Sequence, residues 1–198
     1  MDHDMQCLSA NPKMAGPAYT VRVHPADILM IATGLSECPR GHTLVIDGQG
    51  ELNTALWGEL TTLAALRKGL AGVVIDGAVR DIGKIRRSRL PVFARAVVPN
   101  GGGAEYPGEL GVAVTCGGQV VRSGDWLVGD EDGVVVIPLE KVRQTLLMAR
   151  RIIAAERKIE RAIRGGEDLV RLLRSQETIQ RKESEVFIPQ LRAERRRR

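Results

Sequence analysis

The segment GELTTLAALRKGLAGVVIDGAVRD, residues 58–81, decides the fold. Its first half places leucine and alanine at helical spacing and predicts a helix over 58–68 that stops at Gly69. Residues 71–76 are apolar at consecutive positions, which is typical of a strand buried on both faces, and 77–83 predict a loop. A helix, a glycine stop and a buried strand in this order indicate an α/β fold.

Arg80 and Asp81 stand side by side in the loop that follows the buried strand. Ligands of α/β proteins collect beyond the carboxyl ends of such strands, and the helix start at Gly58 offers free backbone N–H groups to a carboxylate. An arginine binds a carboxylate through two hydrogen bonds, and an aspartate is an oxygen ligand for a hard cation such as Mg²⁺. Together the two residues could bind a 2-oxo acid through its carboxylate and its keto oxygen. The alternative, which is favoured on these two residues alone, is that both are ordinary loop charges, with Asp81 capping the turn DIGKIRR.

The residues on either side of this segment extend the same pattern. Valine-rich runs bounded by Gly, Pro or Asp predict further strands at 18–24, 42–48, 91–98, 110–116, 119–129 and 133–138. A second helix is predicted over 24–35, with Asp27 in its first turn. Asp47 and Asp76 occupy matching places in LVIDGQG and VVIDGAV, and we expect two strands that end in similar Asp-Gly turns.

Cysteine and histidine usage argues against a disulfide framework and a zinc site. The three cysteines, Cys7, Cys38 and Cys116, are far apart and form no CxxC pair, and the three histidines are equally scattered. No apolar run approaches the roughly 20 residues of a membrane span, and the N-terminal residues lack the pattern of a signal peptide. We expect a cytoplasmic protein without a membrane segment.

The basic charge is confined to the C-terminal part of the chain. Residues 1–137 carry a net charge of −3 and residues 138–198 a net charge of +8, which excludes a broad phosphate-binding surface on the core. We expect a core domain at 14–138, and C-terminal helices at 139–183 that pack on the core or on a neighbouring subunit. Residues 184–198 predict a disordered basic tail, for which solvation is favoured over contact with an acidic partner or RNA.

Four segments in order carry a family resemblance: MAGPAYTV, the segment 58–81 quoted above, PVFAR, and VTCGGQVVRSGDWLVGDEDGVVVIP. They resemble the family that contains the regulator of ribonuclease activity A (RraA) and the 4-hydroxy-4-methyl-2-oxoglutarate/4-carboxy-4-hydroxy-2-oxoadipate aldolases. The resemblance implies a swivelling β/β/α-type domain with a C-terminal helical extension. It also implies assembly as a trimer or a pair of trimers, with the active site at the subunit interface.

The same resemblance implies residue roles. Substrate binding falls on the loop formed by Gly58, Glu59, Leu60 and Thr61, whose backbone amides would hold a carboxylate. Arg80 would bind substrate and stabilise an enolate, and Asp81 would ligate Mg²⁺ or Mn²⁺. Glu59, together with Glu156 from a neighbouring subunit, would belong to the outer shell of the metal.

Two departures from the family pattern bear on function. The aldolases carry an acidic residue three positions after the aspartate of the Arg-Asp pair, and here that position is Lys84. Decarboxylation of oxaloacetate is therefore favoured over aldol cleavage, because it removes no proton from a substrate hydroxyl. The helix with a Ser/Thr-Asp-Ala-Leu segment that relatives carry near the N-terminus has no counterpart before Met14. The alternative function is a regulator that binds an RNA-processing ribonuclease.

Overall fold

A computed structural model describes residues 1–173 of the chain. The predictions made for residues 174–198, namely the end of the C-terminal helical segment 139–183 and the basic tail 184–198, lie outside the described residues. The described chain divides into a first compact unit, Met1–Arg143, and a second that begins at Gln144.

Within residues 1–173 the first unit combines ten strands with three helices, and two more helices follow. The strands are β1 (Gln6–Cys7), β2 (Met14–Arg22), β3 (Thr43–Trp57), β4 (Gly72–Val79), β5 (Val92–Val97), β6 (Glu109–Leu110), β7 (Val114–Cys116), β8 (Gln119–Val121), β9 (Trp126–Asp130) and β10 (Gly133–Ile137). The helices are α1 (Leu29–Glu37), α2 (Glu59–Lys68), α3 (Ile82–Ile85), α4 (Val142–Arg164) and α5 (Leu169–Leu172).

The central sheet has the strand order β1-β5-β4-β3-β2-β9-β10. Its middle, β5-β4-β3-β2, is parallel, and the remaining pairs are antiparallel. Crossover connections between parallel strands carry helices, and α1 and α2 occupy the β2-to-β3 and β3-to-β4 connections. The carboxyl ends of β3, β4 and β5 therefore meet at one edge of the sheet.

The core lies on both faces of β4, all eight residues of which are buried. Successive side chains of a strand point to opposite faces. Val73 and Ile75 belong to the cluster that α1 and α2 cover, whereas Val74 packs with Phe93 in the cluster closed by β7 and β9. The continuous apolar run read from the sequence is thus confirmed as a strand buried on both faces.

Several predicted boundaries were wrong. The strand predicted at 110–116 is divided into β6 and β7, and the strand predicted at 119–129 is divided into β8 and β9. β4 continues to Val79, so the loop before α3 contains only Arg80 and Asp81. α1 begins at Leu29, and Asp27 precedes it instead of lying in its first turn. The buried Asp27 carboxylate accepts hydrogen bonds from the backbone N–H groups of Leu29, Glu105 and Tyr106. These bonds, led by that of Glu105, hold the pKa of Asp27 below its usual value although burial opposes them.

The predicted Asp-Gly turns were also wrong, because neither aspartate ends its strand. Asp47 and Asp76 are direct partners in the parallel β3–β4 register, and both are buried. Asp76 Oδ1 lies 2.7 Å from Arg95 Nε, and its Oδ2 accepts a hydrogen bond from the Gly117 N–H. Asp47 accepts hydrogen bonds from the N–H groups of Gln49 and Thr115, so both carboxylates are structural groups inside the sheet with partners distant in sequence.

α4 confirms the long C-terminal helix predicted from residue 139 onward. It has 23 residues, none of them buried, and its apolar side chains Leu146, Leu147, Met148, Ile152, Ile153 and Ile163 are all exposed. Among the described residues, no helix combines the length and the apolar character that a membrane crossing requires.

Candidate active site

The candidate site lies where three parallel strands end side by side. Trp57, Val79 and Val97, at the carboxyl ends of β3, β4 and β5, are direct register partners across the sheet. Backbone hydrogen bonding therefore fixes the relative positions of the loops that follow these residues. The loop after Val79 contains Arg80 and Asp81.

The start of α2 is held in place by a buried hydrogen-bond chain. The Trp57 indole N–H donates to Thr62 Oγ1 at 2.8 Å, and the Thr62 hydroxyl donates to the Gly58 carbonyl at 2.7 Å. The Gly58 N–H donates in turn to Thr61 Oγ1 at 3.0 Å. A buried tryptophan requires a partner for its N–H, and here that requirement fixes the helix start. The N–H groups of Leu60 and Thr61 lie in the first turn of the helix, where no intrahelical acceptor exists.

Asp81 has an unusual backbone conformation for a residue other than glycine. Its φ of 58° and ψ of 36° place it in the left-handed region. Its side chain does not cap α3, contrary to the alternative sequence interpretation; instead Asp81 Oδ2 accepts the Glu59 N–H at 3.0 Å. Backbone strain of this kind concentrates at functional sites. The carboxylate is thus tied to the start of α2, while Oδ1 has no hydrogen-bond partner within residues 1–173.

Arg80 is positioned by its backbone and by two glycines. Its N–H donates to the Trp57 carbonyl at 2.8 Å, and its side chain is about half exposed. A Cβ at Gly101 would lie 3.0 Å from Arg80 Nη1, and a Cβ at Gly58 would lie 2.7 Å from Asp81 Oδ2. Both glycines therefore leave room for the charged groups of the Arg-Asp pair.

Sequence reasoning missed the glycine loop 100–103, which forms the opposite wall. Asn100 Nδ2 donates to the Asn53 carbonyl, and the Asn100 carbonyl accepts the Ala55 N–H. A Cβ at Gly102 would lie only 2.5 Å from the Ala26 carbonyl. The run NGGG was the available signal, since consecutive glycines mark a close approach of backbone segments.

Two clefts flank the Arg80–Asp81 pair. The first, called the glycine cleft, has a volume of about 420 Å³ and is lined by Trp57, Gly58, Leu60, Thr61, Gly101 and Gly102 together with the pair. The second, called the basic cleft, has a volume of about 660 Å³ and is lined by Lys84, Arg87 and Val97–Pro99 on the other side of the pair. Glu59 borders both clefts.

Glu59 is engaged by the residue that departs from the family pattern. Lys84 Nζ lies 2.7 Å from Glu59 Oε1, and both side chains are about half exposed. The role of Glu59 in the outer shell of a metal stays a prediction, and its carboxylate has a cationic partner, Lys84, that sequence reasoning did not assign. Glu156 lies exposed on α4, in the second unit.

The donor set fits a hard divalent cation that retains water. Among residues 1–173 no group of three His, Cys, Asp or Glu side chains is arranged to hold a metal. Mg²⁺, however, is commonly bound through one or two carboxylates, with water and substrate oxygens completing its shell. The free Oδ1 of Asp81 supplies one such carboxylate oxygen beside the clefts.

Comparison with known proteins connects this geometry to a family. A family model described as RraA-like, Aldolase/RraA, matches residues 1–136. An uncharacterised protein of Methanocaldococcus jannaschii is 47% identical over 122 residues, which make up 62% of this chain and 59% of that protein. The 4-hydroxy-4-methyl-2-oxoglutarate aldolase of Thermus thermophilus is 37% identical over 126 residues, 64% of this chain and 76% of that protein.

A solved structure carries a different functional description. The RNA-processing inhibitor RraA from Thermus thermophilus superposes with a TM-score of 0.66 at 33% identity, over 70% of this chain and 84% of that one. This similarity, together with the α/β architecture and the C-terminal helix, confirms the fold that the sequence resemblance implied.

Proposed function

The chain belongs to the RraA-like Aldolase/RraA family, and on that basis we propose that it is a carbon–carbon lyase releasing pyruvate from 2-oxo dicarboxylic acids. Oxaloacetate decarboxylation is the activity we expect first. The observation that carries this proposal is the Arg80–Asp81 pair, which a strained Asp81 backbone and the Glu59 N–H hold beside the start of α2.

The substrate carboxylate adjoining the keto group would bind at the start of α2. The free N–H groups of Leu60 and Thr61 point out of the helix end, where the dipole favours an anion. The Arg80 guanidinium lies within the same cleft and can add a charge-assisted hydrogen bond. Together these groups orient the keto oxygen towards Arg80 and Asp81.

Bond cleavage then depends on stabilising the charge that develops on the keto oxygen. In oxaloacetate the bond from C3 to the distal carboxylate breaks, CO₂ leaves, and the electron pair forms the enolate of pyruvate. The Arg80 guanidinium stabilises the enolate oxygen, and water supplies the proton that C3 takes up afterwards. Removing one such preorganised group commonly lowers the rate by about 10²- to 10³-fold.

A divalent cation is part of the proposal. Asp81 would hold Mg²⁺ or Mn²⁺ directly, with Glu59 and a neighbouring subunit's copy of Glu156 in the outer shell. When bound, such an ion supplies Lewis-acid polarisation of the keto group.

The Glu59–Lys84 ion pair supports decarboxylation ahead of aldol cleavage. Retro-aldol cleavage requires a base to remove the proton of the substrate hydroxyl. Lys84 occupies the position where the aldolases carry an acid, and it also engages the Glu59 carboxylate at 2.7 Å. Decarboxylation requires no such base.

Asp81→Asn tests this proposal. The amide preserves the size of the side chain but removes the negative charge, so metal-dependent pyruvate release should fall by at least about 10²-fold. Circular dichroism and size-exclusion chromatography should show that the variant folds and assembles as the wild type does. Wild-type turnover in the Asp81→Asn variant would reject the proposed site.

We also propose that the protein assembles as a homotrimer or a pair of trimers. The exposed fractions of the Leu60 and Leu63 side chains on α2 are 78% and 62%, and α4 by itself also exposes apolar side chains. Exposed apolar surface of this extent marks interaction sites. Multi-angle light scattering should give three or six times the chain mass of 21.6 kDa; a monomer would contradict this proposal.

A regulatory role is the second candidate, supported by the structural similarity to the RNA-processing inhibitor RraA. In this role the protein would bind an RNA-processing ribonuclease without catalysis, and the basic residues 176–198 would contribute to the contact. Pull-down of a ribonuclease by the full chain but not by a chain ending at residue 175 would support it. A folded protein without lyase activity that captures no ribonuclease would reject both candidates.

A further inference from the structure

The basic cleft carries one cation that no carboxylate of the described chain neutralises. Two of its cations face carboxylates: Lys84 Nζ lies 2.7 Å from Glu59 Oε1, and Arg80 Nε lies 3.7 Å from Asp81 Oδ2. Arg87 lines the same cleft, and within residues 1–173 no carboxylate oxygen lies within 4.0 Å of its guanidinium. The cleft therefore has an excess of positive charge at Arg87.

The backbone places Arg87 beside Lys84 and over Gly83, both of which line the basic cleft. Helical hydrogen bonding continues beyond α3, since the Arg87 N–H donates to the Lys84 carbonyl at 3.2 Å. Residues three apart on a helical turn lie on the same side, so Lys84 and Arg87 are neighbours. A Cβ at Gly83 would lie 3.8 Å from Arg87 Nη1, which shows that the guanidinium lies over Gly83.

The opposite wall of the basic cleft is apolar. It consists of Val97, Val98 and Pro99, which follow the end of β5. A carbon chain that starts at Arg80 can run along this wall. Its far end then lies among the side chains of Lys84 and Arg87.

We propose that Arg87, assisted by Lys84, binds the second carboxylate of the substrate and makes the site selective for 2-oxo dicarboxylic acids. The inference rests on the proposed function, because it takes the keto-acid end to be bound at Arg80. An arginine fork matches a carboxylate geometrically, and the apolar wall limits the competition from water. Arg87 is thus a specificity-determining residue, distinct from the groups that stabilise the developing charge.

The position of the subsite favours substrates longer than oxaloacetate. In oxaloacetate the distal carboxylate is the group that leaves as neutral CO₂, so a cation that holds it stabilises the ground state more than the transition state and does not raise kcat. In a five-carbon 2-oxo dicarboxylic acid the distal carboxylate lies beyond the bond that is cleaved in an aldol substrate. We therefore expect Arg87→Gln to raise KM for oxaloacetate without lowering kcat.

Two probes of equal length test the subsite without turnover. 2-Oxoglutarate and 2-oxopentanoate share a five-carbon skeleton and differ in the distal carboxylate, and neither is a β-keto acid that could lose CO₂. Isothermal titration calorimetry should show about tenfold tighter binding of 2-oxoglutarate by the wild-type protein, the contribution of roughly one hydrogen bond to a charged group. In Arg87→Gln this preference should disappear, while 2-oxopentanoate binds as before.

Arg86→Gln is the matched control, because it removes the same charge one residue away, from a side chain that does not line the basic cleft. It should retain the preference for 2-oxoglutarate. Equal affinity of the wild type for both acids, an undiminished preference in Arg87→Gln, or an equal loss in Arg86→Gln would overturn the inference. A retained preference in a protein that does not decarboxylate oxaloacetate would reject the proposed reaction and leave the subsite in place.

Discussion

Gly58→Ala tests whether the close approach of the α2 start to Asp81 matters for activity. The added Cβ would lie 2.7 Å from Asp81 Oδ2 and 3.1 Å from Arg80 Cγ. Because contacts of a Cβ below 3.0 Å are essentially not tolerated, the carboxylate has to move away by 0.3 Å or more. Its hydrogen bond from the Glu59 N–H, now 3.0 Å long, is the contact that this movement lengthens and weakens.

The expected size of the effect differs between activity and stability. Gly58 has φ −163° and ψ −157°, an extended conformation that alanine can adopt, so the backbone itself is not strained. Asp81 is 39% exposed, so losing one hydrogen bond to it should cost only about 1 kcal/mol of folding free energy, a few degrees in Tm. Displacement of a catalytic group by a fraction of an ångström, in contrast, should lower kcat/KM by about 10- to 100-fold.

The assay is a coupled measurement of pyruvate release from oxaloacetate, with Tm measured in parallel by differential scanning fluorimetry. Gly103→Ala is the control: its Cβ would lie no closer than 4.0 Å to any neighbouring atom, and it belongs to the glycine loop on the opposite wall of the site. We expect wild-type activity in Gly103→Ala. Wild-type kcat/KM in a folded Gly58→Ala variant would refute the argument that this contact positions Asp81.

Three further predictions concern packing, pH dependence and thiol reactivity. Trp57→Phe removes the indole N–H that orders the start of α2. Thermal unfolding should show a loss of roughly 1 kcal/mol in the free energy of unfolding, and KM should rise. An unchanged Tm and KM would contradict this. Burial raises the pKa of Asp76 above its ordinary value of 3.8, because the folded state favours the protonated carboxyl group. This preference contributes fully to the free energy of unfolding below pH 3.8, and the contribution is lost as the pH rises through the raised pKa. Urea unfolding from pH 4 to 8 should therefore show the wild type losing stability relative to Asp76→Asn, and parallel pH profiles would contradict the assignment. Burial raises the pKa of the Cys38 thiol to about 11, and it also raises the pKa of the fully buried Cys116 thiol. Only Cys7 should therefore react with Ellman's reagent before the protein unfolds. Two or three reactive thiols in the native protein would be inconsistent with the structure.

Local sequence signals predicted the elements that carry the site. The α2 helix and the buried β4 strand have strong helical and apolar patterns, and Gly69 adopts the left-handed conformation expected of a helix stop. Arg80 and Asp81 follow directly, so the rule that ligands collect at the carboxyl ends of strands made them candidates, and the family resemblance supplied their expected roles.

Contacts between distant parts of the chain set the features that the sequence did not predict. Asp47 and Asp76 look like turn residues in the sequence, yet the sheet continues past them. The buried Asp76 carboxylate is tolerated inside the sheet because it lies against the Arg95 guanidinium and accepts the Gly117 N–H. Asp27 similarly binds backbone groups about 78 residues away. No local propensity encodes such partners, and so the Asp-Gly turns and the α1 boundary were mispredicted.

Within the site, the contacts of the glycine loop and of Glu59 with Lys84 could likewise not be predicted from local sequence. The Asn100 side chain finds the Asn53 carbonyl 47 residues earlier, and Lys84 reaches back 25 residues to Glu59. The run of glycines and the departure at position 84 were visible in the sequence. Their partners became apparent only when the strands ending at Trp57 and Val79 were aligned in the sheet.

Pyruvate release from oxaloacetate by the wild-type protein and by Arg80→Ala, each measured with Mn²⁺ and again with EDTA, tests the central claim most directly. We expect metal-dependent turnover in the wild type that EDTA abolishes, and a loss of at least about 10²-fold in a folded Arg80→Ala variant. Turnover in the wild type no faster than that of Mn²⁺ alone, or equal rates in the two proteins, would contradict the assignment of Arg80 and Asp81 as the centre of a lyase.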